Sequence, residues 1–218
     1  AQFGAYNGWE RALWYARAGD DTSEAGGQTW NRKGAWFDAV KSECEAVRDA
    51  AGILDLPGFS RFLLRGAGVA EWLSRQITGK VPNVGRLGLA YFADVKGRIV
   101  TEMSVARLAD DLVLLITAAT AQAHDRDWLQ GHLDAGLSLS DVTDAWSTQI
   151  LTGPKSREIL AAVCDADLSK GWLSHQFAQL AGAEVWLARV SFAGELGWEI
   201  HSKLADTAKV WDAVLAAG

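Results

Sequence analysis

Apolar residues recur along this chain at two spacings, and the switches between them divide it into elements. From Gly34 onward Trp36, Phe37, Val40, Cys44 and Val47 fall three and four apart, which predicts a helix closing at Gly52. Ile53 to Leu56 reads as a short strand, Pro57-Gly58 as a turn and Phe59 to Leu64 as a second strand, before Val69 to Ile77 returns to helical spacing. Arg86 to Phe92, Arg98 to Leu108 and Leu112 to Thr117 are runs joined by Asp94-Val95-Lys96-Gly97 and Asp110-Asp111, which predicts an antiparallel meander. A helix over about Ala119 to Leu133, strands near Leu137 to Val142 and Trp146 to Leu151, and a helix opened by Gly153-Pro154 follow. In the last third, Glu184 to Val190 alternates as a strand, Ser191 to Gly197 forms a turn, and Leu204 to Ala217 forms an amphipathic helix.

Residues 1–34 show no sustained period and predict an irregular arm, ahead of one region over 35–218 that divides near residue 140 if it divides at all. Hairpins outnumber helical crossovers, so the expected class is α+β with antiparallel sheets and packed helices. No internal repeat is evident in the sequence.

Composition narrows the field. The chain has 218 residues, 49% apolar and 22% charged, which suits a folded globular protein. Its net charge of −6, with no basic cluster, argues against nucleic acid as a partner. The apolar stretch from Leu112 to Ala123 is too short and too interrupted to span a bilayer, so no membrane partner is expected. Cys44 and Cys164 lack neighbours at metal-ligand spacing and read as reduced, buried thiols, with no metal site. The sequence opens on Ala1, its single methionine is Met103, and Ala1-Gln2-Phe3-Gly4 lacks signal-peptide character. A piece of a longer protein is therefore expected.

Gly66-Ala67-Gly68 supplies only the first two glycines of a dinucleotide fingerprint. Three polar sites remain. Glu102 interrupts an apolar strand, where a carboxylate could accept a proton or bind a ligand nitrogen, or simply be solvated. Glu195 sits between Gly194 and Gly197 beside aromatic residues, a composition suited to a pocket-lining turn or to an ordinary one. His124-Asp125 on a predicted helix reads as a dyad or as a solvated, capping histidine.

Several segments in order resemble one known family. His124-Asp125-Arg126-Asp127-Trp128 after a Leu-Leu-Ile-Thr strand, Leu151-Thr152-Gly153-Pro154-Lys155-Ser156-Arg157, and Arg189-Val190-Ser191-Phe192-Ala193-Gly194-Glu195-Leu196-Gly197-Trp198-Glu199 resemble the folate domain of the glycine-cleavage T-protein (aminomethyltransferase) superfamily. Asn7-Gly8-Trp9-Glu10-Arg11 with Trp14, and Lys96-Gly97-Arg98-Ile99 leading to Glu102, are most similar to the C-terminal half of dimethylglycine and sarcosine dehydrogenases. The resemblance covers nearly the whole chain and implies the T-protein fold without its final β-rich domain.

It also implies a function. The expected cofactor is tetrahydrofolate, which accepts a one-carbon unit from a methylated amine to give 5,10-methylenetetrahydrofolate. The expected partner is an FAD oxidoreductase domain or subunit outside this chain, working in the cytoplasm or, in a eukaryote, the mitochondrial matrix. Glu102 falls at the catalytic acid, Glu195 at the carboxylate that receives the pterin donors, and Phe192, Ile116 and Leu89 at folate-contacting positions. A stand-alone folate-dependent methyltransferase or demethylase, and a non-catalytic folate-binding module, are the alternatives.

Overall fold

The computed structural model describes residues 1–6, 8–22 and 33–218. Asn7, named above, lies outside them. Where an irregular arm is expected, Gln2–Tyr6 (β1) and Trp9–Trp14 (β2) pair as an antiparallel hairpin. The alternation there is masked by a register shift at Gln2/Phe3, which moves side chains out of strict period two. The first helix, α1, runs Phe37–Asp49 and ends before Gly52, which instead opens the strand Gly52–Asp55 (β3). Only Ala39 of α1 is fully buried and Cys44 is exposed, contrary to the expectation of two buried thiols. Cys164 is half-buried, and burial pushes its thiol pKa up.

From β3 onward the chain builds four layers. Sheet one contains Phe59–Arg65 (β4), Ile77–Thr78 (β5), Leu87–Ala93 (β6), Ile99–Ala109 (β7), Leu112–Ala118 (β8) and Ser138–Asp141 (β9), in the order β5-β6-β7-β8-β4-β9. Sheet two contains Trp146–Thr152 (β10), His175–Leu180 (β11), Ala183–Ala188 (β12) and Gly197–Lys203 (β13) with β3, in the order β11-β12-β13-β10-β3. All pairings in both sheets are antiparallel, as the class expectation requires.

Helices cover the outer faces because their apolar positions repeat at i, i+3 and i+4. Helix α2 (Val69–Gln76) buries Val69, Trp72 and Leu73, and α3 (Gln122–Gly131) buries Leu129, against Phe62, Leu64, Phe92, Met103 and Leu115 of sheet one. Helices α4 (Ser156–Val163) and α5 (Thr207–Ala217) bury Leu160, Val210 and Val214 against Leu151, Val185, Leu187, Trp198 and Ile200 of sheet two. A third cluster, with Leu87, Ala106, Leu114, Ile116, Trp186 and Ala188, fills the space between the sheets.

Three strands of the two sheets escape the sequence reading; one is the two-residue β5, whose Ile77 was read as the end of the preceding helix. β11 is half polar, with His175, Gln176 and Gln179 out of strict alternation, and lies at a sheet edge, so its pattern is weak. β13 does alternate, with Trp198 and Ile200 facing the helices and Glu199 and His201 facing sheet one, but its start is hidden by the preceding glycine-rich turn.

The absence of a repeat in the sequence is also corrected. β4-α2-β6-β7-β8-α3 and β10-α4-β11-β12-β13-α5 are the same succession of elements, with the same strand order β4-β8-β7-β6 and β10-β13-β12-β11. The strand that precedes each unit crosses to the other sheet. β3 pairs with β10, and β9 pairs with β4. Gly66 and Gly153, at equivalent strand-to-helix corners, permit this crossing. Each has a left-handed φ, +143° and +114°, and a Cβ would lie 2.6 Å from the carbonyl oxygen of Gly136 or Ala50 respectively. Few side chains are shared between the halves, so the duplication is written in backbone geometry.

Candidate active site

In sheet one, Leu89 lies opposite Ser104, Ser104 opposite Ile116, and Ile116 opposite Arg61, while Tyr91 lies opposite Glu102. Because side chains alternate between faces, Leu89, Tyr91, Glu102 and Ile116 all share the face that looks toward sheet two. Ile116 is part of the core between the sheets, whereas Leu89, Tyr91 and Glu102 are exposed at its open end. The Tyr91 phenol lies beside the Glu102 carboxylate, and that neighbour is the main reason its pKa is raised.

Behind this face lies a second polar group. Asp125 of α3 is fully buried and accepts hydrogen bonds from Thr117 Oγ1 at 2.6 Å and Thr101 Oγ1 at 3.0 Å, with His124 Nδ1 at 2.9 Å. Thr101 precedes Glu102 and points to the opposite face, so the aspartate ties α3 to the strand that presents Glu102. The pair His124-Asp125 therefore joins an exposed imidazole to a buried, structural carboxylate. Thr101 and Thr117 carry no sequence signal beyond a hydroxyl in an apolar strand.

Phe192 and Glu195 sit in the turn between β12 and β13. Gly194, at φ +100°, donates its N–H to Ser191 Oγ at 2.8 Å and closes that turn. Its exit is fixed by Gly153 N–H to Leu196 O at 2.8 Å and Arg189 Nη1–H to Gly197 O at 3.0 Å. The Arg189 guanidinium lies 4.9 Å from the Trp198 ring centroid, which holds the cation in place. Glu195 is half-buried and the Phe192 ring is fully exposed. The turn follows Val190, which packs on the inter-sheet cluster that also holds Ile116. Both groups of expected site residues thus border the same layer.

Among the described residues no group of three His, Cys, Asp or Glu side chains is placed to hold a metal ion, and no helix is long and apolar enough to cross a membrane.

A polar chain missed by the sequence reading crosses between the sheets. Arg61 is 2% exposed and donates to Phe59 O at 3.2 Å, to Trp146 O at 3.4 Å and to Thr148 Oγ1. Because arginine only donates, the Thr148 hydroxyl is free to donate to His201 Nδ1 at 2.9 Å, leaving His201 Nε2–H for Glu199 Oε2 at 3.1 Å. Beside it, Trp186 Nε1–H donates to His175 Nδ1 at 3.1 Å, so His175 Nε2–H donates to Arg107 O at 3.0 Å. Both histidines are held as neutral tautomers, and burial pushes their pKa values down. The only sequence signal was an arginine inside the apolar run Phe59 to Leu64.

These antiparallel sheets, their outer helices and the carboxylate-bearing inner face define an aminomethyltransferase-type α+β fold. The structure superposes on aminomethyltransferase T of the glycine cleavage system from Bartonella henselae with a TM-score of 0.77 at 18% identity, covering 99% of this chain and 53% of that one. Residues 1–218 match the GCVT N-terminal domain, and the chain belongs to that family. It is 27% identical to mouse mitochondrial dimethylglycine dehydrogenase over 221 residues, 99% of this chain and 25% of that protein. It is 31% identical to the sarcosine oxidase α subunit of Corynebacterium sp. strain U-96 over 232 residues, 100% of this chain and 22% of that protein. The chain therefore spans about a quarter of these curated relatives.

Proposed function

We propose that this chain is the tetrahydrofolate-binding, one-carbon-transfer domain of an amine-demethylating flavoenzyme of the dimethylglycine or sarcosine type. The observation that carries the reading is the shared face of Leu89, Tyr91, Glu102 and Ile116, bordered by the turn that bears Phe192 and Glu195.

The donor set suits a reduced pterin. Glu195 is a carboxylate in a turn closed by the Gly194 N–H to Ser191 Oγ bond, matched to a planar edge with two parallel N–H donors. Leu89 and Ile116 provide apolar wall, and the exposed Phe192 ring is free to close over a bound ligand. Bound tetrahydrofolate supplies an amine nucleophile that takes up a one-carbon unit at the oxidation level of formaldehyde. Glu102 accepts the proton of that amine and offsets positive charge developing beside it. Tyr91, across the strand pair from Glu102, flanks the carboxylate. Asp125, through Thr101, holds the strand in register beneath it.

An FAD-bearing oxidoreductase domain or subunit outside this chain is the proposed partner and source of the one-carbon unit. The sizes of the dehydrogenase and oxidase relatives support this, since this chain accounts for 25% and 22% of them. The working compartment is then that of the flavoenzyme, the cytoplasm or a mitochondrial matrix. The test is a tetrahydrofolate titration of the whole flavoenzyme followed by tryptophan quenching, paired with an assay of 5,10-methylenetetrahydrofolate. Saturable binding weakened by Glu195→Ala, with product formation lost in Glu102→Gln, is expected. Unchanged binding and product formation in both variants would overturn the reading.

A further inference from the structure

The layer between the sheets is not completely filled. In sheet two Phe177 lies opposite Trp186, Trp186 opposite His201, and His201 opposite Thr148, so one row of inward side chains crosses that sheet. In sheet one Leu63 lies opposite Leu114 on the facing surface. Between the two surfaces is a cavity of about 130 Å³, lined by Leu63, Leu114, Trp146, Phe177 and Trp186, with Arg61 and His201. None of Leu89, Tyr91, Glu102 and Ile116 lines it, so it is distinct from the face proposed for the pterin.

The polar members of the wall spend their hydrogen bonds on the protein. Arg61 donates to Phe59 O, Trp146 O and Thr148 Oγ1, its Nε has no accessible surface, and Glu199 offsets its charge. His201 is held at both ring nitrogens, by Thr148 and Glu199, and the Trp186 N–H is taken by His175 Nδ1. The surface left facing the hollow is carbon almost throughout. The same bonds keep the hollow open. Trp186 packs against the rings of His175 and His201, with centroids 5.3 and 4.6 Å away, so swinging it inward to fill the space would break both its stacking and its hydrogen bond. Phe177, 53% exposed on the edge strand β11, forms the rim.

Volume and polarity together define what completes this hollow. A water molecule needs two to four polar partners, which these walls do not offer, whereas apolar cavities of about this size take one benzene-sized ring. A charged or hydrogen-bonding group turned toward the walls would lose its hydration with nothing in exchange. We propose that the cavity is a binding site for a small uncharged aromatic or alicyclic ring, which enters past Phe177 and packs between Leu114 and Trp186. The bound ring touches both sheets and braces the two halves of the fold against each other.

Fluorobenzene is the probe, followed by fluorine NMR on the intact protein, with 4-fluorobenzoate as its charged counterpart and 1-fluoronaphthalene as a larger ring system. Fluorobenzene is expected to bind saturably, and each of the other two at least about tenfold more weakly, one because its charge is stripped of water and the other because it overfills the space. Leu114→Phe, which fills the hollow with a ring of its own, is expected to abolish fluorobenzene binding while keeping the circular dichroism of the parent. Phe177→Ala, which lowers the rim at a half-exposed edge position, is expected to speed exchange of the bound probe, and it decides independently of how well Leu114→Phe folds. Absence of saturable binding, equal affinity for fluorobenzoate, binding that survives in folded Leu114→Phe, or unchanged exchange in Phe177→Ala would each overturn the proposal.

Discussion

Tyr91 stands directly across the strand pair from Glu102, with its phenol beside that carboxylate. The phenol is thereby pushed above its ordinary pKa, because ionising it would place two anions side by side. Ultraviolet titration at alkaline pH should show one tyrosine ionising above the usual range. Glu102→Gln should bring it back toward the ordinary value. In the flavoenzyme proposed above the same substitution should lower one-carbon transfer by about 100-fold or more, the scale expected for the general-base role proposed for Glu102. Tyr91→Phe should cost much less, since it orients the carboxylate and leaves it in place.

Asp125 links three partners inside the protein, and its removal strands buried hydroxyls. Asp125→Ala should destabilise the fold by about 3 kcal/mol, because Thr101 and Thr117 lose their acceptor where water cannot replace it. The denaturant midpoint should fall with the slope unchanged. A midpoint within error of the parent would show that the aspartate holds nothing.

Gly66 and Gly153 are equivalent corners, so their substitution should act alike. Alanine at either combines a left-handed φ with a Cβ 2.6 Å from a backbone oxygen that belongs to the segment leading into the exchanged strand. Each variant should lose at least about 2 kcal/mol. Gly58→Ala, where a Cβ meets nothing within 4 Å, is the control and should be nearly neutral.

His175 and His201 set the acid side of stability. Their folded pKa values lie below the unfolded 6.5, chiefly through burial, which outweighs the hydrogen bonds of His175 to the backbone of Arg107 and Arg86. The charges of Lys170 and Arg86 near His175 and of Arg61 near His201 act in the same direction as burial. Glu199 opposes the shift at His201. The unfolded chain then binds more protons as pH falls below about 6.5, so stability is full above that pH and declines beneath it. The slope is at most about 1.4 kcal/mol per pH unit for each histidine. Asp94, Asp141 and Asp167, whose pKa values are lowered from 3.8, contribute only in stronger acid. Denaturant midpoints between about pH 7.5 and 5 should fall, and His175→Gln should flatten the curve; a flat parent curve would sink the assignment.

What the sequence disclosed followed from how locally each element is specified. The meander β6-β7-β8 was readable because its turns carry Asp and Gly and its strands are long. The helices were readable because each buries one face, as Val69, Trp72 and Leu73 do. The edge strand β11 and the strand β13 were not, since one is half polar and the other begins inside a glycine-rich turn. Glu102 and Glu195 stood out as acids among apolar and aromatic neighbours. The Arg61-Thr148-His201-Glu199 chain could not stand out, because its members come from three strands whose adjacency depends on sheet order.

The exchange of β3 and β9 ties the two halves together more firmly than side-chain packing alone. Each sheet borrows its last strand from the other half, so neither half has a complete set of its own backbone partners. Two separate copies of one such half, trading their first strands, would close into the same arrangement as a dimer. Such a dimer would come apart on dilution. Written into a single polypeptide, the trade becomes a unimolecular event, and the layer between the sheets is assembled at any protein concentration.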